Sequence, residues 1–282
     1  MTAIILAAGC GRRLGPLTAH LPKCLLPIGR QTILDHMLDR IARAGIRDVV
    51  IVTGFEAERV RRHVEARAWP GLRVKLLFNE RFADTNNLYS LSLALSQTTG
   101  AVTILNGDDL FNVNILRALL GDRSEAAAAV DFSWPLPGDA MRVQVEAQTV
   151  TALGKRLSED TAAGNAIGLY RFDTEAATLV RTEVSRWVAE GHLQAFYVAA
   201  IDALAPRLAI AAVPTSGMTW GEVDDARDLA AAHSKVAQIH YEEVRQAAGA
   251  LRHRRGRVGR TRVVAAAAIR QPQQSISPSW AL

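Results

Sequence analysis

The chain has 282 residues, of which 49% are hydrophobic and 6% aromatic, enough to bury the core of one large domain or two small ones. Its formal charge is +5, but residues 251–282 hold seven arginines and no acidic residue. Residues 1–250 therefore carry 26 of the 33 basic residues and all 28 acidic residues. This balance excludes a basic nucleic-acid-binding surface as a property of residues 1–250. No apolar run reaches the roughly 18–20 residues of a membrane span, so we predict no membrane partner. Two cysteines are too few for a disulfide framework, which predicts a cytoplasmic protein.

Strand-like and helix-like segments alternate through the first 106 residues. In chain order they are a strand at 3–7, a helix at 32–44, a strand at 48–53, a helix at 56–67, a strand at 73–78, a helix at 88–96 and a strand at 101–105. Asn87 is the predicted N-cap of the third helix. Regular alternation is typical of an α/β fold with a doubly wound, mostly parallel sheet, so we predict a Rossmann-like architecture.

The second half of the chain has a different pattern. Strands are predicted at 126–132, 142–146, 150–154 and 165–172, followed by helices near 175–190 and 194–204, a last strand at 208–213 and a closing helix at 226–248. The clustered strands predict an antiparallel extension of the sheet. Because residues 251–282 lack a periodic apolar face, we expect one domain over residues 1–250 and a basic, disordered tail over residues 251–282.

A glycine-rich loop follows the first strand directly, with the sequence L-A-A-G-C-G-R-R-L-G, and P-K lies shortly after it. Gly9 and Gly11 have no side chains, so backbone N–H groups can wrap an anion. Arg13 and Lys23 add positive charge in a loop that we expect to face solvent. Leu14 replaces the third glycine of a dinucleotide fingerprint and no Gly-Lys-Ser/Thr follows, so neither that fingerprint nor a Walker A loop fits. The pattern indicates a triphosphate site.

This stretch resembles the L-A-A-G-x-G-x-R-L…P-K signature of nucleotidyltransferases that share the nucleotide-diphospho-sugar transferase fold. The resemblance covers about residues 3–232. In that family the glycine loop holds the nucleotide, while the arginine and the lysine bind phosphates, which implies catalytic roles for Arg13 and Lys23. The loop residues implied to bind the nucleotide are Leu6, Ala7, Ala8, Gly9 and Gly11. The resemblance also implies that the antiparallel extension binds the acceptor.

Acidic residues follow the fourth strand and precede the last helix. The segment N-G-D-D resembles the metal-binding D-x-D of the family, with Asn106 in place of the first acid and Asp108 matching the second. The segment W-G-E-V-D-D resembles the late W-x-E-I-D, in which Asp224 matches a metal-binding carboxylate. One or two carboxylates with phosphate oxygens suffice for magnesium. The resemblance therefore implies Mg²⁺ as cofactor at Asp108 and Asp224, with helix capping as the alternative role for both.

One segment indicates a subgroup of the family. The sequence N-N-L-Y-S-L resembles the N-N-x-Y-S-L stretch of phosphocholine, phosphonate and inositol-phosphate cytidylyltransferases. This resemblance implies CTP as the favoured NTP, with Asn86, Asn87 and Asp108 near the nucleotide. An asparagine offers a donor and an acceptor to cytosine but tolerates uracil, so a sugar-1-phosphate enzyme that uses UTP, dTTP or GTP is the alternative.

The acceptor-side candidates come from the same subgroup. The segments M-R-V and G-N-A-I-G resemble its M-K-V and G-E-x-I-G stretches, which implies acceptor contacts from Arg142 and Asn165, and Tyr197 and Trp220 are the further candidates. Positions where relatives often carry acids hold uncharged residues, Asn165 among them. This departure disfavours a cationic amine and leaves neutral phosphorylated metabolites as acceptors.

These residues predict transfer of a nucleoside monophosphate to a phosphate or phosphonate oxygen, with pyrophosphate as the leaving group. A phosphate monoester has a second pKa near 6, so the acceptor is largely ionised at neutral pH and needs no general base. The seven histidines accordingly show no catalytic or metal-binding spacing. The replacement of the first acid by Asn106 leaves a catalytically silent nucleotide-binding module as a second hypothesis, and the arginine-rich tail leaves nucleic-acid binding as a third.

Overall fold

A computed structural model describes residues 1–268, with side chains described through residue 249. Its strands are β1 (Thr2–Ala7), β2 (Pro27–Ile28), β3 (Gln31–Thr32), β4 (Asp48–Thr53), β5 (Arg73–Phe78), β6 (Val102–Asn106), β7 (Asp109–Phe111), β8 (Ala126–Asp131), β9 (Arg142–Glu146), β10 (Thr149–Leu153), β11 (Gly164–Phe172), β12 (Ile210–Pro214) and β13 (Trp220–Glu222). Its α-helices are α1 (Ile33–Arg43), α2 (Ala57–Glu65), α3 (Asn87–Ser96), α4 (Val113–Gly121), α5 (Thr174–Ala189), α6 (Tyr197–Asp202) and α7 (Ala226–Ala268).

The main sheet of the described residues has the strand order β5-β4-β1-β6-β11-β8-β12-β10-β9. The first four strands in this order are parallel, which confirms the predicted doubly wound half. Leu6 of β1 lies opposite both Val52 of β4 and Asn106 of β6, so the carboxyl ends of three strands meet at one edge. Open α/β sheets bind their ligands at this edge.

Helices cover both faces of the sheet, and β1 contributes to the core on each side. Ile5 packs into a cluster with Ile33 and Met37 of α1, and these three side chains have no exposed surface. Ile4, the neighbour of Ile5, points to the opposite face and packs into a second cluster with Leu91 of α3. Burial of a side chain of this size is worth about 1.5–3 kcal/mol, so the two clusters fix the sheet between its helices.

The second half adds the antiparallel strands that the sequence predicts. β11 runs antiparallel to β6 and β8, while β9 and β10 form an antiparallel pair at the far end of the sheet. β12 departs from this pattern, because it runs parallel to β8. A mixed sheet therefore joins the parallel half to the extension.

A two-stranded ribbon outside the main sheet connects the two acidic segments. β7 and β13 pair antiparallel, with Glu222 opposite Asp109 and Trp220 opposite Phe111. The buried Arg40 of α1 donates from Nε to the carbonyl oxygen of Phe111 at 3.1 Å, which ties the ribbon to the first helix. This ribbon brings two segments more than one hundred residues apart in the chain to the same edge of the sheet.

The third helix begins one residue earlier than the sequence predicts. Asn86, and not Asn87, is the N-cap of α3, and its side chain accepts from the backbone N–H of Asn87 at 2.8 Å. The side chain of Asn87 instead accepts from the backbone N–H of Tyr197 at 2.9 Å. Either asparagine can cap a helix, so a long-range contact with α6 decides between them.

The final helix also differs from the prediction. The sequence predicts disorder from residue 251, whereas α7 continues to Ala268; residues 269–282 lie outside the described part of the chain. The first half of α7 packs into the core through Ala232 and Ile239, and the arginine and alanine residues that follow have high intrinsic helix propensity, which favours continuation of the helix. The chain divides into two units, Met1–His240 and a second that begins at Tyr241, and the domain boundary at residue 250 stays a prediction. Within the described residues, no helix combines the length and the apolar character that crossing a membrane requires.

Candidate active site

The glycine loop after β1 is held in a conformation that requires glycine. Gly11 has a φ of 62°, in the left-handed region. A Cβ atom at Gly11 would lie 3.2 Å from the Cβ of Lys23 and 3.2 Å from Cγ2 of Thr18. The Thr18 hydroxyl donates to the carbonyl oxygen of Gly11 at 2.8 Å, which closes the loop. The loop thus packs directly against the segment that carries Lys23.

The acidic loop after β6 lies directly against the glycine loop. The backbone N–H of Gly107 donates to the carbonyl oxygen of Leu6 at 3.0 Å. A Cβ atom at Gly107 would lie 2.5 Å from that same oxygen, a distance that no side chain tolerates. Glycine at this position therefore lets Asp108 reach the end of β1.

Two cations and two carboxylates meet at this edge. Lys23 Nζ lies 2.5 Å from Asp108 Oδ2 and 2.6 Å from Asp224 Oδ1, and Arg13 Nη2 lies 2.7 Å from the same Asp224 oxygen. Arg13 also reaches Asp139 at 3.5 Å. The Arg13 side chain is 60% exposed, as expected, but that of Lys23 is only 15% exposed, so the prediction of a solvent-facing lysine is wrong.

The charges in this cluster stabilise one another. Burial acts to lower the pKa of Lys23, but the carboxylates of Asp108 and Asp224 outweigh it, so this pKa lies above its ordinary value. Burial acts in the opposite direction on Asp224, and the neighbouring Lys23 and Arg13 hold its pKa below the ordinary value. At neutral pH Lys23 and Asp224 are therefore both charged.

Two further acidic residues adjoin the cluster, and both have a raised pKa, so they bind a proton more readily than an ordinary carboxylate does. Burial, reinforced by Asp108 and Asp224, raises the pKa of Glu222 to about 7. Burial followed by the charge of Asp108 raises the pKa of Asp109 well above its usual range. Sequence analysis did not single out Glu222, although it stands inside the W-G-E-V-D pattern, two residues before Asp224.

The carboxylates of Asp108 and Asp224 fit a shared cation. Their oxygens converge on one ammonium nitrogen, which shows that a single positive centre can contact both. Among the described residues, no group of three or more His, Cys, Asp or Glu side chains is arranged to hold a metal. Two carboxylates completed by phosphate oxygens and water suit magnesium, whereas a transition metal site needs more protein ligands.

A cleft opens beside the cluster, and a recess shares several of its residues. The predicted site residues that line the cleft are Leu6, Ala8, Gly9, Arg13, Asn86, Asn87, Asp108, Tyr197 and Asp224. The recess adds Ala7, Gly11 and Lys23. The structure thus brings every predicted catalytic, nucleotide-binding and metal-binding residue to one continuous region.

Three of the four predicted acceptor-side residues do not line either cavity. Trp220 donates from Nε1 to Asp131 Oδ2 at 2.6 Å, and Asn165 is buried in β11. Arg142 donates to the backbone carbonyl oxygens of Lys155 and Leu157, so it closes a neighbouring loop. Their residue types fit the subgroup pattern, but Trp220 and Arg142 hydrogen-bond to groups outside the two cavities, and Asn165 lies inside the sheet.

Tyr197 is the acceptor-side residue that does line the cleft. Its hydroxyl donates to Asn106 Oδ1 at 2.9 Å, which fixes the residue that replaces the first acid of the D-x-D pattern. Sequence analysis did not propose several other cleft residues as site residues, and of these only Met141 stands in a quoted pattern, the segment M-R-V. They are Asp139, Met141, Lys155 and Phe196.

Comparison with known proteins identifies relatives of the chain. It is 34% identical over 145 residues to CMP-5'-(3-aminopropyl)phosphonate synthase of Streptomyces rubellomurinus, which covers 51% of the chain and 23% of that relative. It is 30% identical over 176 residues to N-acetylmuramate alpha-1-phosphate uridylyltransferase of Caulobacter vibrioides, which covers 60% of the chain and 67% of that relative. The chain thus spans less than a quarter of the first relative and two thirds of the second.

A solved structure shares the fold. The CTP:phosphocholine cytidylyltransferase of Streptococcus pneumoniae superposes with a TM-score of 0.70 at 23% identity, over 83% of this chain and 98% of that one. This likeness confirms the predicted nucleotide-diphospho-sugar transferase fold. The family model described as the MobA-like NTP transferase domain matches residues 3–167, which include the glycine loop and the acidic segment after β6. The chain therefore belongs to the MobA-like NTP transferase domain family of nucleotidyltransferases.

Proposed function

We propose that this nucleotidyltransferase transfers CMP from CTP to a small phosphorylated or phosphonylated metabolite and releases pyrophosphate. The observation that carries the proposal is the cluster of Arg13, Lys23, Asp108 and Asp224, which lies beside the glycine loop and lines the cleft and its neighbouring recess. Two polyanions that react with each other need positive charge at the point where they meet.

The reaction is an in-line displacement at the α-phosphorus of the NTP. An oxygen of the acceptor phosphate or phosphonate forms the new P–O bond, and the bond between the α-phosphorus and the bridging oxygen breaks, so that its electron pair leaves with pyrophosphate. The acceptor oxygen is already largely ionised at neutral pH. Among the residues whose side chains are described, none that lines the two cavities is a histidine, which agrees with a reaction that needs no general base.

The protein contributes positioning and charge. Backbone N–H groups of the glycine loop bind the phosphates, while Arg13 neutralises charge at the exposed side of the cluster. Lys23 holds two carboxylates when the site is free of nucleotide, and its ammonium group is close enough to the loop to bind a phosphate when those carboxylates have another cation.

Asp108 and Asp224 are the residues that would hold Mg²⁺. When bound, this ion would neutralise phosphate charge and orient the triphosphate for displacement. The two carboxylates would then act only as ligands, and the chemistry would require no proton transfer from them.

The choice of CTP rests on sequence likeness and on the nucleotide end of the cleft. Two of the three compared proteins act in CMP transfer or use CTP according to their names, whereas the third is a uridylyltransferase. UTP and a sugar 1-phosphate therefore form the second candidate pair. A catalytically silent module is the third, because Asn106 removes one acid from the D-x-D pattern.

Acceptor-dependent release of pyrophosphate from CTP, measured with Asp108→Asn and with EDTA, tests the proposal. The substitution keeps the shape of the side chain but removes a charge that magnesium needs, so we expect activity to collapse in both cases. Asp160→Asn, at an exposed carboxylate outside the cleft, is the matched control and should retain activity. Full activity of the Asp108→Asn variant, or of the wild type in EDTA, would contradict the metal-dependent mechanism.

A further inference from the structure

One end of the cleft holds a buried polar pair that the proposed reaction does not use. Asn79 and Ser90 both line the cleft, although their residues are only 1% and 3% exposed. Leu6, Ala8 and Asn86 line the same cleft, and the backbone N–H of Phe82 donates to the carbonyl oxygen of Asn79 at 3.2 Å, so the polar pair and Phe82 lie together. Buried polar side chains that face a cavity are costly unless a ligand or water uses them.

The hydrogen bonds around Asn79 fix the orientation of its amide. Asn79 Oδ1 accepts from the backbone N–H of Arg81 at 2.9 Å, and a backbone N–H can only donate. The Nδ2 group must therefore be the one that faces Ser90 Oγ at 3.1 Å and Thr85 Oγ1 at 3.3 Å. Both hydroxyl oxygens act as acceptors from this amide.

The two hydroxyl groups then differ in where their own protons go. Thr85 donates to the carbonyl oxygen of Arg81 at 2.7 Å. Ser90 has no acceptor for its proton among the described residues, and its oxygen already receives a hydrogen bond from Asn79. The hydroxyl of Ser90 consequently presents a donor to the cleft.

An aromatic wall shapes the same end of the cleft. Phe82 lines the cleft and packs against Gly54, where a Cβ atom would lie 2.5 Å from the Cβ of Phe82. A flat apolar wall beside a single directed donor is an arrangement that suits a planar heterocycle.

We propose that Ser90 selects cytosine, by donating its hydrogen bond to N3 of the base under the control of Asn79. The proposal rests on the proposed function and names the residue that reads the base at that site. Cytosine carries an acceptor at N3, whereas uracil carries an N–H donor there. A donor at Ser90 therefore matches cytosine. To accept from the N3–H group of uracil, the Ser90 hydroxyl would have to turn its second lone pair to the base, and its own proton would then have no acceptor among the described residues. A buried polar site disfavours that arrangement.

Dissociation constants for CTP and UTP, measured by calorimetry with Mg²⁺ and without acceptor, test this assignment. Ser90→Ala removes the donor and should weaken CTP binding about tenfold while it leaves UTP binding nearly unchanged. Asn79→Asp turns the amide donor into an acceptor, so Ser90 should donate to the new carboxylate and present its lone pairs to the cleft. We expect this variant to shift the CTP:UTP ratio toward UTP by tenfold or more.

Ser92→Ala is the matched control, because the Ser92 hydroxyl donates to the carbonyl oxygen of Tyr89 on the same helix and does not line the cleft. It should keep the wild-type ratio. A wild-type preference for CTP that both Ser90→Ala and Asn79→Asp leave unchanged would overturn the role of Ser90 while the proposed function stands. A wild type that binds UTP better than CTP would overturn both. If Asn79→Asp does not fold, the ratio for Ser90→Ala decides alone.

Discussion

Lys23 stands where the proposed magnesium ion would bind, since its ammonium group contacts both carboxylates that we assign as ligands. Two carboxylates that share one site repel each other unless a cation separates them. In the protein without nucleotide, Lys23 supplies that cation. Arg13 contacts the same cluster from its exposed side, so the two residues differ in what their removal does to stability.

Lys23→Ala should destabilise the protein in the absence of magnesium. The variant leaves Asp108 and Asp224 without a shared cation, and loss of hydrogen bonds to charged groups is worth about 1–3 kcal/mol. Added Mg²⁺ should restore more stability to the variant than to the wild type, as measured by chemical denaturation. Lys75→Ala, which removes an exposed lysine outside both cavities, should change neither value. An equal effect of Mg²⁺ on Lys23→Ala and wild type would contradict the shared cation site.

Arg13→Ala should lower turnover without a change in melting temperature. The side chain is 60% exposed, so little packing is lost, whereas removal of one donor to the transition state commonly costs about 10²–10³ in rate. Steady-state kinetics and thermal unfolding measure the two effects. Arg30→Ala, at an exposed arginine outside both cavities, should be neutral. Near-wild-type turnover of Arg13→Ala would mean that the glycine loop has a different role.

At the scale of elements, the β7–β13 ribbon and the contact between α1 and α2 position the site. The ribbon carries Asp109 and Glu222 opposite each other and leads directly to the ligands on either side. α1 begins with a capping box, in which Thr32 and Asp35 satisfy each other's backbone N–H groups. The same Asp35 joins α1 to α2 through His63 Nε2 at 2.7 Å and to Arg67 at 2.6 Å.

Asp35→Asn should lower the free energy of unfolding at neutral pH and should make that free energy depend less on pH under acidic conditions. Burial acts to raise the pKa of Asp35, but the backbone N–H of Thr32 and the side chains of His63 and Arg67 outweigh it and lower this pKa. The folded state therefore gains stability above the unfolded pKa of about 3.9 and loses it as the pH falls below that value. We expect a loss of about 1–3 kcal/mol at pH 7 in denaturant unfolding and a flatter profile below about pH 4.

The control for this prediction is Asp39→Asn on the same helix. Asp39 is 42% exposed and pairs with Arg43, so its removal should cost well under about 1 kcal/mol. A variant at Asp35 that behaved like the one at Asp39 would show that the junction of α1 and α2 does not depend on this carboxylate.

For the whole molecule, the sequence predicts the elements better than the directions of side chains. Hydrophobic periodicity is local, so strands such as Asp48–Thr53 and Arg73–Phe78 match their predicted bounds. The glycine loop was also predictable, because its residues are consecutive. Trp220 was misplaced because its partner Asp131 is distant in the chain, and a pattern of residue types does not contain that contact. Lys155 and Phe196 were missed for the same reason.

A chain that ends at residue 250 should fold and turn over like the full protein. Within the part of the chain whose side chains are described, every residue that lines the two cavities lies before residue 225. Thermal unfolding and steady-state kinetics of the truncated chain check this expectation. A large drop in kcat, with the fold intact, would show that residues 251–282 act on the reaction.

The most direct test of the whole account is pyrophosphate release across CTP, UTP, dTTP, GTP and ATP, each with a panel of phosphate and phosphonate acceptors. The account predicts release that requires both substrates, with the highest kcat/KM for CTP and with the CMP ester of the acceptor as product. A higher kcat/KM for another NTP would contradict the cytidylyltransferase assignment. Binding of CTP without pyrophosphate release from any pair would contradict catalysis itself and leave a nucleotide-binding module.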